Sequence, residues 1–599
     1  TAAVLEQLAR DVTQWDARAV EFFQVLATTQ YMNHLRPMNH YSPDLRRWEP
    51  LTRIGHAFDS CAHTVDVRRI ESKKGKYNIP NIGIFLWRLD AYRHTSSPAV
   101  KLDDTRWFIS PLGHPLQLFN HPLPETQITH LAEPVNVPES ITRRMLHEYL
   151  KRYYGSAEDR NSSDASINKV DNSEPSIVLY IDDAEVPRSK IMACDLSDSG
   201  ANNWAHLPKA GFYAIDPVLG RVACGSKPKT VKLTYHRGFS ADLGGGEYSR
   251  ELLKDSEAKI ILQVPKDYPT IQGALDALKG GNGIVKILDS GRYEEALNVS
   301  VLAGQHITVF AKDGCFPTIV LPIKGELTVS GGKNSLFVLD GVMLTANRKL
   351  SLADQKPLRL LHVPSDSGAL KLVIRHCTLV PGLALDVKGM PLFPNKPAVH
   401  VEADGIQVVL ERAIVGALYL HAGTQFSASD SIIDATTPDR AALVGSIGSG
   451  AGGVLSLDAC TVIGKIHMRE VGEISNSLLV AHQATGDTDV PVHIDRRQAG
   501  CVRFSYVPLD SRVPKRYRCQ PEDKGNPDLA LSFVSLRFGV ASYCQLALST
   551  SDLIRSGADD ESEMGAFHLL FPAQREANLR IRLREFMRVG LEAGIFYET

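Results

Sequence analysis

Near the N-terminus, apolar positions recur at spacings of three and four. Leu5, Leu8, Val12, Trp15, Ala19, Phe22, Phe23 and Leu26 share that period, which predicts a helix burying one face. Residues 78–89 are rich in β-branched and aromatic side chains and punctuated by Pro80 and Gly83, which predicts a strand in a tight packing environment. The helical period returns over 141–154, with Met145, Leu146, Tyr149 and Leu150 inward. Residues 156–176 are nearly all Ser, Asn, Asp, Glu and Lys and read as a linker or exposed loop. Short apolar runs at 177–181, 211–215 and 230–235 predict a compact β-rich module. Segments 501–506 and 531–538 read as strands. A terminal helix is expected from Pro572, with Leu579, Leu583, Phe586, Met587 and Leu591 on one face.

The informative region is 260–480, where six segments superimpose. They begin at Leu339, Ile374, Leu410, Ala428, Leu457 and Ile474. Their fourth position is small or modest (Val342, Cys377, Ala413, Ser431, Cys460, Ser477), and the sixth is aliphatic (Leu344, Leu379, Val415, Ile433, Val462, Leu479). A parallel β-helix stacks equivalent residues about 4.8 Å apart, so each inward row must keep one side-chain size, while insertions leave through loops. A sandwich would show hairpins with evenly spaced turn signals; the β-helix is preferred. Cys377 and Cys460 are expected to point inward. The expected fold class is mixed and multidomain, a central right-handed parallel β-helix flanked by α+β and β-rich modules. Its divisions are a helical or α+β docking region (1–155), a polar linker or loop (156–176), a small β-rich module (177–258), the β-helix (259–482), and β segments plus a terminal helix (483–599).

Composition narrows the function. Lys plus Arg number 66 and Asp plus Glu 68, a net charge of −2, which argues against a nucleic-acid binder. With 43% hydrophobic residues the chain is not an acidic disordered one. Nine widely spaced cysteines without a CxxC fit reduced thiols better than a disulfide framework or zinc ribbon. No apolar run reaches a membrane span of about 18 residues, and residues 1–10 carry no secretion-signal pattern.

Few motifs carry chemistry. Gly448-Ser-Gly-Ala-Gly-Gly453 matches GxGxxG but precedes an apolar strand, so a loop is expected rather than a dinucleotide site. Gly244–Gly246 lacks the Lys-Ser/Thr of a phosphate loop. His400, Glu402 and Asp404 alternate and would share one strand face; they could hold Ca²⁺, or simply face solvent. His56 and His63 are seven apart and read as loop residues. If the repeat stacks, its second position makes an acid–base–acid row of Asp340, Arg375 and Glu411, either a solvated row avoiding like-charge neighbours or a groove of carboxylates. Arg580, Arg584 and Arg588 form a stripe at i, i+4, i+8 of the terminal helix, followed by the apolar end Ile595-Phe-Tyr597.

Residues 268–278, Tyr-Pro-Thr-Ile-Gln-Gly-Ala-Leu-Asp-Ala-Leu, resemble the entry helix of pectin-lyase-like β-helices, including pectinesterases and pectate lyases. The resemblance covers about 260–480 and implies that fold. The motifs that would carry its activity (Gln-Asp-Thr-Leu, Asp-Phe-Ile-Phe, Arg-x-Pro-x-x-Arg) are missing, so no enzyme, catalytic residue, cofactor or metal is expected. Residues 19–23, 64–70, 77–89, 238–248 and 575–580 resemble a family of large proteins encoded with phage-tail-like contractile injection systems. That similarity spans the whole chain and implies a structural baseplate role. It implies cytoplasmic assembly into a particle and other baseplate or tail subunits as partners, with no nucleic acid and no membrane span. Arg580, Arg584, Arg588, Phe596 and Tyr597 are then the expected contacts with another subunit. A carbohydrate-binding or carbohydrate-active β-helix, with a glycan as ligand, is the alternative.

Overall fold

The computed structural model describes every residue except 1, 28–31, 35–44, 73, 125–129, 157–173, 201–202, 251–259, 279, 324, 350–357, 523–528 and 599. Most of the polar segment expected as a linker lies outside the described residues. The chain forms two compact units: residues 1–91, 119–140 and 572–599, and residues 92–118 and 141–571.

In the first unit, helix α1 (Ala2–Thr13) buries Ala2, Leu5 and Ala9. The helical period was expected to run on to Leu26, but α1 stops at Thr13 because Gln14 adopts a left-handed backbone (φ 57°). Strand β1 (Ala17–Glu21) follows, antiparallel to β2 (Asn81–Trp87), the strand expected from residues 78–89. The other edge of β2 pairs in parallel with the chain end, β3 (Glu592–Glu598). The terminal helix α2 (Pro572–Phe586) starts at Pro572 as expected and buries Leu579 and Leu583 in one cluster with Leu5, Ala9, Ile84 and Ile595. Phe586, expected on that inner face, is exposed at the helix end. A carboxylate ties the unit together. Glu6 is fully buried and accepts the amides of Ala19 (2.9 Å) and Ala132 (2.8 Å), with Arg10 at 3.0 Å. Those bonds compensate a burial that would otherwise be costly.

The second unit is dominated by two parallel sheets of 18 and 8 strands. Their pairing resolves into three ladders that the chain visits in a fixed order, pass after pass. One runs from Ile260–Val264 to Arg516–Tyr517, a second from Leu297–Val301 to Val492–Ile494, a third from Arg292–Glu294 to Leu478–Val480. The six repeat segments stack in register. Leu339, Ile374, Leu410, Ala428, Leu457 and Ile474 are successive partners on the first ladder. Leu344, Leu379, Val415, Ile433, Val462 and Leu479 are successive partners on the third. All six of the latter are fully buried in one apolar core reaching from Val264 to Cys519. The first-ladder sheet continues past residue 482 through Cys501–Arg503 and Arg516–Tyr517.

Each of the six repeat segments turns from the first ladder to the third at one residue in the left-handed region: Gly341, His376, Arg412, Asp430, Ala459, Asn476. A side chain there costs on the order of 1 kcal/mol or more. The amide of Gly341 donates to Arg375 O (3.1 Å), that of His376 to Glu411 O (3.0 Å), and those of Arg412, Asp430 and Ala459 to the equivalent carbonyls of their following passes (3.1 Å each). The shared bond holds the corner irrespective of side chain. The fourth position follows, inside the corner. Ser431 Oγ donates to Ser429 O (2.6 Å) and Ser477 Oγ to Ser475 O (2.7 Å), while Ser477 Oγ accepts the Cys460 amide (3.1 Å). Cys377 and Cys460 point inward as expected, fully buried, their thiols bonded to Leu339 O and Asp458 O.

The helix resembling an entry helix spans Ile271–Ala277. Thr270 caps it by accepting the Gly273 amide, and Ile271, Ala274 and Leu275 enter the core. The strands expected at 177–258 divide between a four-stranded sheet holding Val231–Phe239 and a five-stranded sheet, and both are completed by strands from 90–108, Asp90–Pro98 in the former and Val100–Lys101 and Arg106–Phe108 in the latter. The helix expected over 141–154 is two short turns (Arg143–Glu148, Leu150–Tyr153); Tyr149, expected inward, is at the surface between them. Residues 531–538 form no strand, only isolated bridges at Phe533 and Ser535. No helix among the described residues is long and apolar enough to cross a membrane.

Candidate functional site

Two surfaces hold the sequence-predicted residues or chemistry of their own. On the first unit, the three arginines differ. Arg580 donates to Glu576 at 2.6 Å, an i, i+4 pair. Arg584 is exposed near the end of α2, and Arg588 is exposed just beyond it. Neither makes an ion pair among the described residues. Ile581, Phe586 and Val589 are exposed beside them. Phe596 and Tyr597 lie in β3 and are engaged by their own unit. Phe596 stacks on Phe85 at 5.1 Å between centroids, with Lys76 Nζ 4.6 Å from its ring; the Tyr597 hydroxyl donates to Glu576. Arg584 and Arg588 thus lie exposed with Ile581, Phe586 and Val589, while Arg580, Phe596 and Tyr597 are half-buried and engaged within their own unit.

On the second unit, a groove of about 460 Å³ runs over the outer face of the first ladder. Its floor follows the second repeat position, which stacks in register as Asp340, Arg375, Glu411, Ser429, Asp458, Ser475 and then Arg503. The acid–base–acid row exists, but Asp340 and Arg375 are buried. Burial pushes the Asp340 carboxyl up, opposed by the Arg375 charge. The open part begins at Glu411 and adds Ser427, Ser456 and Glu473, the last paired with Arg503 at 2.6 Å. Hydroxyls and carboxylates in a shallow trough can hydrogen-bond a polyhydroxylated or cationic ligand.

The other motifs resolve into structure. His400 lies on the second ladder beside His362, and Glu402 pairs with Arg359 at 3.1 Å. Arg359 also binds Glu326 (2.8 Å). Burial works against ionisation of Glu326, yet the hydrogen bonds from His362 and Arg359 prevail and hold its carboxyl at about 2. A guanidinium thus sits where the Ca²⁺ alternative needs the cation, and Asp404 points elsewhere, toward His421 (3.5 Å). Nothing in the repeat signalled Arg359. The GxGxxG segment links strands Ala441–Gly445 and Gly452–Asp458 and opens no helix. The Gly244 and Gly245 amides bond to Arg412 O and Thr378 Oγ1. His63 pairs with Asp59 (2.7 Å) and His56 with Glu598 (2.9 Å), each with its own carboxylate. All nine cysteines are free thiols.

No protein-family model and no curated protein matches this chain.

Proposed function

We propose that the chain is a structural baseplate component of a phage-tail-like contractile injection particle, with a central right-handed parallel β-helix as rigid scaffold or docking surface. The observation that carries this reading is the convergence of segments bearing the resemblance. Three of the five segments, residues 19–23, 77–89 and 575–580, are far apart in sequence yet contribute to β1, β2 and α2 of one module, while 238–248 belongs to the second unit. That module presents Ile581, Arg584, Arg588 and Val589 outward, the mixture of arginine and apolar side chain that interfaces favour. Three in-register ladders around one core support the β-helix, a stiff body suited to bearing load. The test is to express the tagged chain with the rest of its particle genes and sediment the lysate. The chain should travel with sheathed particles. Recovery only in the free-protein fraction would reject the reading.

A second reading, a carbohydrate-binding or carbohydrate-active β-helix, is favoured by one observation, the groove of Glu411, Asp458, Glu473 and four serines. Binding or cleavage of an acidic polysaccharide, lost on Glu411→Ala, would support it over the first.

A further inference from the structure

Beyond the proposed role, we propose that His467, His493 and Asp495 form a surface site for a divalent transition metal of the zinc class. His467 lies in the strand Lys465–Ser475 and His493 in Val492–Ile494; they are direct register partners on the second ladder. Their flanking residues Ile466, Met468, Val492 and Ile494 are buried in the core, so the backbone under both imidazoles is fixed. The rings stack with centroids 4.4 Å apart and planes within 7°, so one imidazole must turn out of the stack for both in-plane lone pairs to meet one ion. Their Nε2 atoms approach the same carboxylate oxygen, Asp495 Oδ1, at 3.0 and 3.7 Å.

The distances are compatible with a ligand set. Only the 3.0 Å contact is a hydrogen bond; at 3.7 Å the second imidazole is beyond that reach. A tetrahedral ion bound at about 2.0–2.1 Å separates its ligand atoms by about 3.3 Å, a value the two contacts bracket. All three ligand atoms lie within 4.8 Å of one another. Two imidazoles and one carboxylate suit zinc, cobalt, nickel or ferrous ions over calcium or magnesium, which take oxygen ligands. The side chains are each about a third to a half exposed, leaving room for water or a fourth ligand from a neighbour. The groups facing His493 are Arg512, its bridge partner from the next pass, which opposes a cation, and Asp489, which favours one. A bound ion would tie together two successive passes near the end of the stack.

The full chain, stripped with chelator, is titrated with Co²⁺ and read by visible absorption, then with Zn²⁺ in competition. One equivalent should bind, displaced by Zn²⁺ but not by equimolar Ca²⁺ or Mg²⁺. His467→Gln and His493→Gln should each weaken binding more than about tenfold while circular dichroism is unchanged, and Zn²⁺ should raise the melting temperature of the unaltered chain only. The variant Asp560→Asn/His568→Gln, in the other group of close potential ligands, should bind as the unaltered chain does. No Co²⁺ binding, binding that survives the two glutamine changes together, or loss confined to the Asp560 variant would each overturn the proposal.

Discussion

Arg375 donates from Nε and Nη2 to a single oxygen of Asp340, at 3.1 and 2.8 Å, across adjacent strands of the first ladder. Both side chains are buried, and Arg250 approaches the other Asp340 oxygen at 3.7 Å. Removing one partner strands the other charge in a low dielectric. Arg375→Leu should therefore destabilise the chain by about 3–5 kcal/mol. Asp340→Leu/Arg375→Leu should cost less than the single change. Equilibrium denaturation of the three proteins checks this; equal loss in single and double variants would refute the coupling.

At four of the six fourth positions, Cys377, Ser431, Cys460 and Ser477, a thiol or hydroxyl satisfies a carbonyl inside the corner, so Ser and Cys should interchange there. Cys460→Ser should change stability by less than about 1.5 kcal/mol, whereas Cys460→Arg, an unpaired buried charge, should prevent folding of the second unit. Ser477→Ala removes the acceptor of the Cys460 amide and should cost about 1–3 kcal/mol. Thermal melts and soluble yield discriminate the three.

These rows were legible in the sequence because an inward-facing ladder constrains side-chain size and polarity in every pass. The corner itself was not. Gly341, His376, Arg412, Asp430, Ala459 and Asn476 share no side-chain property; what recurs is the left-handed backbone, held in the first five by an amide bond to the following pass. Apolar spacing misled at the N-terminus, where Ala19 and Phe22 continue the helical period by count but sit on a strand and a short 3₁₀ turn beyond Gln14. His467 and His493 were invisible as a pair because the length of one pass, not a local motif, brings them together. Phe596 and Tyr597 read as free contacts because nothing local reveals that β3 adds to β2, whose sequence lies near the other end of the chain.

Asp434 gives a pH dependence. Its carboxylate is buried and accepts from Tyr543 Oη and the Thr436 amide, each at 2.6 Å. Burial raises its pKa to about 6 despite those bonds. A carboxyl whose folded pKa lies above its unfolded value contributes stability that is full below about 3.8 and lost as pH rises through about 6. Replacement by Asn removes that titration. The stability difference between the unaltered chain and Asp434→Asn should shift by about 2 kcal/mol in favour of the variant between pH 4.5 and 8. Parallel denaturant curves across that range measure it; a constant difference would contradict the assignment.

Arg584 and Arg588 are exposed, so Arg584→Glu/Arg588→Glu should alter stability by no more than about 0.5 kcal/mol. Arg580 is left in place because it pairs with Glu576. If the outer face of α2 meets another subunit, the double variant should fold normally yet fail to enter particles. Normal incorporation would remove this face from the proposed interface.

The baseplate assignment is tested most directly by imaging purified contractile particles that carry this chain with a gold-binding tag. Label clustered at the baseplate end of the sheath, in a fixed number of copies per particle, is the predicted result. Particles that form without label, with the chain found only unassembled in the same preparation, would contradict it.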